Sequence, residues 1–409
     1  MQFQNPVGRS PRDRCGRHGV PSLPDVTKVL QLAWRLRKEE GSVNRREFLK
    51  IGAGSAALAA AGCASGKLSV SESMTKDKFA GLEALPPMMP NAVVKESALK
   101  GLNACKFVDD CIWFLRAVAR MKPKSIFDTP YLGAFKKIHD ATGLKVQFNM
   151  FYRTDYFYGM DEFSLADMPD TYKAEFQANA DWIKFGLHAF QEFPDYPWIN
   201  SDYSDVAKCL KMIRGEVARF AGDNMFARFL LPHWVPMSRD GVKALVDGGI
   251  KMMVVSSGNR FAWNGDPAVL PYGHDFRLQN NRKPETSLYT RVSNNLAISS
   301  SLCGYNHVTR EQIVSIAKYN KYLYDPDTGM RFCNTCTSPM SVLNLQELPE
   351  ISKALAAVDG CEFVGYGNHE QYFFKDYFLY QPDYMEREML VAKTLSERGY
   401  KFIFMEDLV

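Results

Sequence analysis

Histidines and carboxylates follow four short apolar segments of this 409-residue chain, at the point where each segment ends. The residues concerned are Asp109, Asp110, His188, His233 and His369. Imidazole nitrogens and carboxylate oxygens bind zinc and related divalent ions, and the same groups transfer protons. If the fold gathers these residues at one place, they predict a metal site with its own acid and base.

The pair Asp109-Asp110 puts two carboxylates on neighbouring residues, which point in different directions from the end of a strand. One carboxylate can bind a metal while the other takes a proton from water. Asp110 has an alternative role as the N-cap of a helix predicted for residues 111–121. His188 and Glu192 stand four residues apart, so a turn after the strand would bring both to one ion. One histidine with two carboxylates suits zinc or another divalent ion.

The elements that position these residues alternate between short strands and amphipathic helices, which predicts an α/β fold with a parallel sheet. The predicted strands are residues 104–108, 144–152, 183–187, 226–231, 252–255, 361–366 and 402–405. The clearest helices are residues 205–221 and 383–398. This number of strands, in this rhythm, favours a barrel over an open sheet. The polar insertion at 256–308 predicts a lid or a small satellite layer.

In α/β barrels the carboxyl ends of the strands meet at one rim, where binding and catalytic residues collect. Four aromatic residues lie near the same strand ends in the sequence: Tyr152, Trp198, Trp234 and Tyr372. Rigid aromatic rings pack on the apolar faces of sugars, and the polar tips of Tyr and Trp bond to hydroxyl groups. We therefore expect these four residues to bind a glycan substrate.

The amino-terminal part has the order of an export leader. Residues 44–50 carry two arginines ahead of Phe-Leu-Lys, residues 51–61 are small and apolar, and Cys63 follows. The apolar run is too short to span a bilayer, which takes about 20 residues. The pattern resembles a bacterial twin-arginine signal, residues 44–62, with a lipid attached to Cys63. An alternative is cleavage after residues 59–61, which would leave Cys63 as an ordinary thiol.

These features predict a leader at 1–62, a flexible lipidated tether at 63–95 and a barrel at 96–409. We expect the twin-arginine export machinery as one partner, and attachment through Cys63 to a membrane of the cell envelope or periplasm. Residues 1–42 are rich in Pro, Arg and Gly, and they show no apolar periodicity before Val26. We therefore hypothesise that translation begins at Val43 and that residues 1–42 are not translated.

The charge balance speaks against a nucleic-acid partner. Residues 1–62 hold 11 of the 50 Lys and Arg residues but only 5 of the 46 Asp and Glu residues. The rest of the chain therefore carries 39 basic and 41 acidic residues, so the net positive charge belongs to the leader. A nucleic-acid binder needs a basic face in its folded part.

The segment Phe107-Val108-Asp109-Asp110 resembles the strand-end motif of the NodB-homology polysaccharide deacetylases. The resemblance implies a deformed (β/α)7 barrel that removes acetyl groups from glycans with an Asp-His-His metal site. It also implies that Asp109 is the base, Asp110 and His188 are metal ligands, and His369 is the general acid.

The sequence departs from that family at two places. The second metal histidine of the family falls on Glu192, and its Arg-x-Pro motif is replaced by Leu-Leu-Pro-His at 230–233. Either Glu192 or His233 completes the metal site, or the site is altered or lost. A metal-dependent deacetylase, with zinc as the first expected ion, is therefore the main hypothesis. The alternatives are a non-catalytic glycan-binding lipoprotein and a glycoside hydrolase that pairs Asp110 with Glu192 or Glu370.

Overall fold

A computed structural model describes residues 88–154, 162–192, 197–198, 201–257, 304–335, 343–377 and 379–409. The predicted leader, Cys63 and the first part of the predicted tether lie outside these residues. Residues 258–303, which make up most of the predicted insertion, lie outside them as well.

The described residues form a mixed α/β fold, so the predicted fold class is confirmed at this level. The strands are Val93–Glu96 (β1), Asn103–Cys111 (β2), Val146–Phe151 (β3), Ile183–Ala189 (β4), Phe229–Leu230 (β5), Met252–Val254 (β6), Ser256–Ser257 (β7), His307–Val308 (β8), Lys321–Tyr324 (β9), Arg331–Cys333 (β10), Phe363–His369 (β11) and Lys401–Phe402 (β12). The α-helices are Trp113–Met121 (α1), Pro130–Thr142 (α2), Lys173–Ala178 (α3), Tyr203–Phe220 (α4), Arg239–Asp247 (α5), Arg310–Ile316 (α6), Leu348–Ala357 (α7) and Tyr384–Glu397 (α8). Each predicted strand corresponds to one of these strands, and the two clearest predicted helices correspond to α4 and α8.

One sheet is entirely parallel and has β2 at its centre. Its order is β11-β2-β3-β4, and β12 pairs with the first residues of β2. Every residue of β2 is buried, as expected for a parallel strand that is covered on both faces. The carboxyl ends of β2, β4 and β11 therefore open toward the same edge.

The second sheet has the order β1-β9-β10-β6-β5, with β5, β6 and β10 parallel and β9 antiparallel to its neighbours. An isolated parallel bridge between Phe185 and Phe226 links the end of the first sheet to the segment before β5. Within the described residues, the strands thus form two sheets and a short β7-β8 pair, and the closed (β/α)7 barrel stays a prediction. Strand β1 crosses the predicted tether boundary at residue 95, so the folded part begins at or before Val93.

The two sheets share a buried apolar cluster. It takes Cys105 and Phe107 from β2, Phe229 from β5, Met252 from β6 and Cys333 from β10. The inner faces of the two sheets therefore enclose a common core, which excludes water from the base of the strand ends.

Gly365 in β11 shows how closely the second sheet approaches the first. A Cβ atom at this position would lie 1.9 Å from the backbone oxygen of Thr335, which follows β10. No residue other than glycine fits at such a separation.

A buried ion pair fixes α8 to the central strand. Lys106 Nζ lies 2.7 Å from Glu388 Oε1, and both side chains are fully buried. Asn368 in β11 donates a second hydrogen bond to the same oxygen at 2.8 Å. These three residues tie β2, β11 and α8 together close to the carboxyl ends of the two strands.

None of the helices in the described part of the chain combines the length and the apolar character needed to cross a lipid bilayer.

Candidate metal centre

Four strand ends bring the predicted catalytic and metal-binding residues together. Asp109 and Asp110 lie near the end of β2, and His188 lies near the end of β4. His233 follows β5, and its backbone N–H donates to the His188 carbonyl at 3.3 Å. His369 ends β11 and pairs with Asp109 in parallel register. Parallel strands therefore deliver all five residues to the same edge.

Three of these side chains form a compact group, here called the metal trio: Asp110, His188 and His233. His188 Nε2 lies 3.2 Å from Asp110 Oδ1, and His233 Nδ1 lies 3.3 Å from the same oxygen. The two facing nitrogens are 3.1 Å apart. Tetrahedral zinc with bonds of about 2.0–2.1 Å holds neighbouring ligand atoms about 3.3 Å apart. The spacing of the metal trio therefore fits a small divalent ion.

Backbone carbonyls set which nitrogen of each histidine faces inward as a ligand. His188 Nδ1 bonds to Leu231 O at 2.7 Å, and His233 Nε2 bonds to Glu192 O at 2.8 Å. Since a carbonyl only accepts, these outward nitrogens carry the N–H, and in a neutral ring the inward nitrogen carries a lone pair. Two lone pairs and a carboxylate oxygen then face one another in a buried site. A cation between them satisfies all three groups.

The backbone aims Asp110 at the histidines through an unusual conformation. Its φ angle is 59°, in the left-handed region, where Asp is one of the better tolerated residues. The register between β2 and β3 shifts between Val108 and Cys111, and such a bulge turns a side chain away from its regular direction. Gln371 Nε2 donates to Asp110 Oδ2 at 2.9 Å, which leaves Oδ1 for the histidines.

Burial and charge push the pKa values of the two neighbouring carboxylates apart. Burial acts to raise the pKa of Asp110, but His369, His188 and His233 together hold it well below its usual value. Burial raises the pKa of Asp109. His188, His369 and Asn149 act to lower this pKa, but the effect of burial is larger. Asp110 is therefore the better anion, and Asp109 is the better proton acceptor near neutral pH.

The two predicted proton-transfer residues stand beside the metal trio. Asp109 is buried, and Asn149 Nδ2 donates to its Oδ1 at 2.7 Å. His369 Nε2 lies 3.8 Å from Asp110 Oδ2, and its side chain is 21% exposed. His369 Nδ1 bonds to Asn344 Oδ1 at 3.1 Å, which leaves Nε2 directed at the site. A carboxylate and an imidazole, both groups that can transfer protons, thus lie beside the metal trio.

Helix α1 is capped by Glu370, not by Asp110. The strand continues to Cys111 and the helix begins at Trp113, so the alternative of Asp110 as the N-cap is wrong. The Glu370 carboxylate accepts from the backbone N–H of Ile112 at 2.7 Å, of Trp113 at 2.9 Å and of Phe114. Burial raises the pKa of Glu370 to about 8, although these three donors act to lower it. Its engagement in this cap speaks against Glu370 as one of a pair of glycosidase carboxylates.

Glu192 contributes to the centre through its backbone. Its carbonyl accepts from His233, whereas the side chains whose ligand atoms lie within 4.8 Å of one another are those of Asp110, His188 and His233. This is the group of that kind in the part of the chain that the structure describes. Of the four predicted metal ligands, the structure therefore brings three together and leaves out the carboxylate of Glu192.

The four predicted sugar-binding aromatic residues fall into two groups. Tyr152, Trp234 and Tyr372 are half-buried, and Trp234 and Tyr372 lie beside His233 and His369, with ring centroids 5.9 and 6.3 Å apart. Trp198 is only 1% exposed, and its Nε1 donates to the His188 carbonyl at 2.9 Å. A buried ring presents no face to a sugar, so Trp198 supports the backbone of a metal-trio residue instead.

Sequence reasoning missed the amides that surround the carboxylates. Asn149 and Gln371 each donate to one of the two aspartates, and Asn344 orients His369. The signal for Asn149 was present, because Gln147 and Asn149 alternate with apolar residues on a fully buried strand. Polar residues at such positions must find partners.

The sequence and the fold were compared with those of known proteins. No family description matches this sequence, and no curated protein matches it. Among solved structures, a 4-α-glucanotransferase from Thermococcus litoralis is similar, with a TM-score of 0.41 and 10% sequence identity. The similarity covers 76% of this chain and 40% of that one, so the chain spans about two fifths of its length. At this level of similarity, the function has to be argued from the site.

Proposed function

We propose that this protein is a metal-dependent hydrolase that removes acetyl groups from a glycan. One observation carries the proposal. Two histidines whose outward nitrogens are bonded to carbonyls direct their inward nitrogens at each other and at Asp110, at separations of 3.1 to 3.3 Å. The resemblance of residues 107–110 to the deacetylase motif supports the reaction type.

The residues around the metal trio have separate tasks in this reaction. A bound divalent ion would polarise the acetyl carbonyl and make water more acidic. Asp109, with its raised pKa, takes the proton from the attacking water. His369, whose Nε2 lies 3.8 Å from Asp110 Oδ2, gives a proton to the departing amine or alkoxide. Gln371 and Asn149 hold the two carboxylates in place throughout.

The aromatic residues near the site indicate the substrate class, and the leader sequence indicates the location. Tyr152, Trp234 and Tyr372 are partly exposed aromatic rings, and Trp234 and Tyr372 lie next to site histidines, where they can pack against a sugar ring. The proposal that the protein is exported and anchored through Cys63 depends on the leader sequence alone. Peptidoglycan fragments and other acetylated glycans of the envelope or environment are therefore the first substrates to test.

The first experiment is metal content, by elemental analysis of the purified protein. Purification without oxygen is advisable, since two histidines with one carboxylate also suit Fe(II). We expect about one divalent ion per chain in the wild type, and loss of that ion in Asp110→Asn and His233→Ala. His139→Ala is the matched control, because His139 packs on Trp182 away from the centre. Retention of the ion in both trio variants would remove the site from consideration.

The second experiment measures acetate release from acetylated glycans by the metal-loaded protein. Release that stops on chelation and returns with the ion supports the proposal. A protein that binds glycans without holding metal would instead be a non-catalytic binding protein. Release of new reducing ends without acetate would support a glycoside hydrolase.

A further inference from the structure

Two buried amides connect Asp109 to the second sheet. Gln147 and Asn149, here called the amide relay, lie two residues apart on β3 and face the same side. Gln147 Nε2 donates to Phe229 O at 3.1 Å and to Asn149 Oδ1 at 2.7 Å. Asn149 Nδ2 then donates to Asp109 Oδ1 at 2.7 Å. The relay thus runs from the backbone of β5, through β3, to the carboxylate on β2.

The order of donors and acceptors in this relay allows only one orientation. Phe229 O is a carbonyl and can only accept, so the NH2 group of Gln147 must face it. The second proton of that NH2 group is then directed at Asn149, which must present its oxygen. Asn149 must therefore turn its own NH2 group toward Asp109. Each amide fixes the next one without any charged residue.

We propose that the amide relay is a positioning device that holds Asp109 in the orientation it needs as a base. The relay binds one oxygen of Asp109. Within the described residues, the other oxygen, Oδ2, makes no hydrogen bond. Oδ2 is therefore the oxygen presented to water or substrate, and Asn149 prevents the carboxylate from rotating away. The role of Asp109 as the base belongs to the proposed function, on which this inference rests.

Gly186 on β4 gives the relay its space. A Cβ atom at Gly186 would lie 2.5 Å from Gln147 Nε2 and 2.8 Å from Asn149 Oδ1. Both separations are shorter than side-chain contacts permit, so the amides would have to move. Three strands therefore cooperate to keep this chain of amides intact, and Gly186→Ala disturbs it without changing any of its members.

The test combines kinetics with crystal structures of Asn149→Leu and Gly186→Ala. We expect the kcat for acetate release to fall about 100-fold in both variants, as for a misplacement of about 1 Å, while KM and metal content stay at wild-type values. We expect both crystal structures to show the Asp109 carboxylate turned from its wild-type rotamer with the metal trio unmoved.

Two matched controls separate positioning from stability. Asn320→Leu removes a buried amide that bonds Asn103 at 3.1 Å and Gly101 at 2.9 Å, at the opposite end of β2. Gly215→Ala adds a Cβ atom where nothing lies within 4 Å. Both controls should keep the wild-type kcat. An equal fall in Asn320→Leu would overturn the proposal.

The structural measurement also separates this inference from the proposed function. If the wild type releases no acetate, the proposed function fails, and the crystal structures still decide whether the relay holds Asp109. An Asp109 rotamer that is unchanged in both Asn149→Leu and Gly186→Ala refutes the relay, whatever the activity.

Discussion

Asp109 and Asp110 are the same amino acid at adjacent positions, yet their surroundings give them different chemistry. Asp110 faces three histidines, which hold its pKa well below the usual value in spite of burial. Asp109 is held by a neutral amide, and burial raises its pKa. A pair of carboxylates with pKa values that differ in this way provides one ligand and one base.

Metal affinity should increase with pH. Burial acts to lower the pKa of His188, but Asp109 and Asp110 raise it above the usual 6.5. The proton and the metal ion compete for the same nitrogen, so zinc binds more tightly as the pH rises through this raised pKa. Titration calorimetry between about pH 6 and 8 measures the change. A zinc affinity that stays constant over this range would contradict the ligand role of His188.

The metal-free protein should show the opposite trend in stability. Because the folded pKa of His188 is raised, its stabilising effect is complete below the unfolded pKa and is lost as the pH rises through the folded value. Asp110 has a lowered pKa, so its effect is present above the unfolded value and is lost only in strong acid. With a chelator present, Tm should therefore peak in weak acid and decline toward alkaline pH. Asp110→Asn should flatten this decline.

At the residue scale, the sequence indicated which side chains gather but not how they are held. The positions after the apolar segments identified the metal trio, Asp109 and His369. Whether Glu192 or His233 completes the metal trio depends on the geometry of the loops after β4 and β5, and no local sequence pattern indicates that geometry. Of the amides that orient the site, Asn149 lies inside β3, Gln371 follows His369, and Asn344 lies 25 residues before His369; which group each amide bonds depends on the fold.

At the scale of the elements, Glu370 contacts the N-terminus of α1 from the end of β11. This carboxylate lies between His369 and Gln371, and it accepts from the first backbone N–H groups of the helix that follows Asp110. When the carboxyl group of Glu370 is ionised, the helix dipole adds to the stabilisation that the hydrogen bonds give. Glu370 thus joins the ends of β2 and β11, which carry the proposed base Asp109 and the proposed acid His369.

Glu370→Ala should destabilise the fold by about 3 kcal/mol, because three buried backbone N–H groups lose their acceptor. Glu370→Gln should lose less, since the amide oxygen still accepts. Urea unfolding measures both. As a control, Glu175 accepts from Ile126 N at 2.9 Å but is only half-buried, so Glu175→Ala should cost about 1 kcal/mol. Equal losses at Glu370 and Glu175 would argue against a buried clamp.

Elements with a periodic apolar face or a continuous apolar run were predictable, and elements without either were not. Helix α4 shows its apolar face in the sequence and starts beside Asp202, whose side chain caps it. Strands β1, β9 and β10 were missed because charged residues interrupt each of these short segments and leave no continuous apolar run. Their assignment depends on pairing partners far along the chain.

At the scale of the whole molecule, the central strand depends on the end of the chain. Asn103 and Ala104 in β2 pair with both β11 and β12. The last residues also fill the core, with Ile403 8%, Met405 3% and Leu408 1% exposed. The order of strands in the two sheets could not be predicted, because no local pattern says that the last strands flank β2.

Deletion of residues 401–409 should therefore prevent folding. Each buried apolar side chain contributes about 1.5–3 kcal/mol, and three of them approach the whole stability of a typical domain. Circular dichroism and soluble yield are the measurements. Removal of Val409 alone, which is 38% exposed, is the control and should leave both unchanged. A folded protein that lacks residues 401–409 would show that β12 is dispensable.

The position of β2 between the last two strands also affects folding during synthesis. Asp110, His188 and His233 leave the ribosome before β11 and β12 have been made. Until then, β2 can pair with β3 but exposes its other edge, and such edges promote aggregation. The sheet is therefore complete only after β11 and β12 have been synthesised. A chaperone that shields strand edges is expected to matter most during that interval.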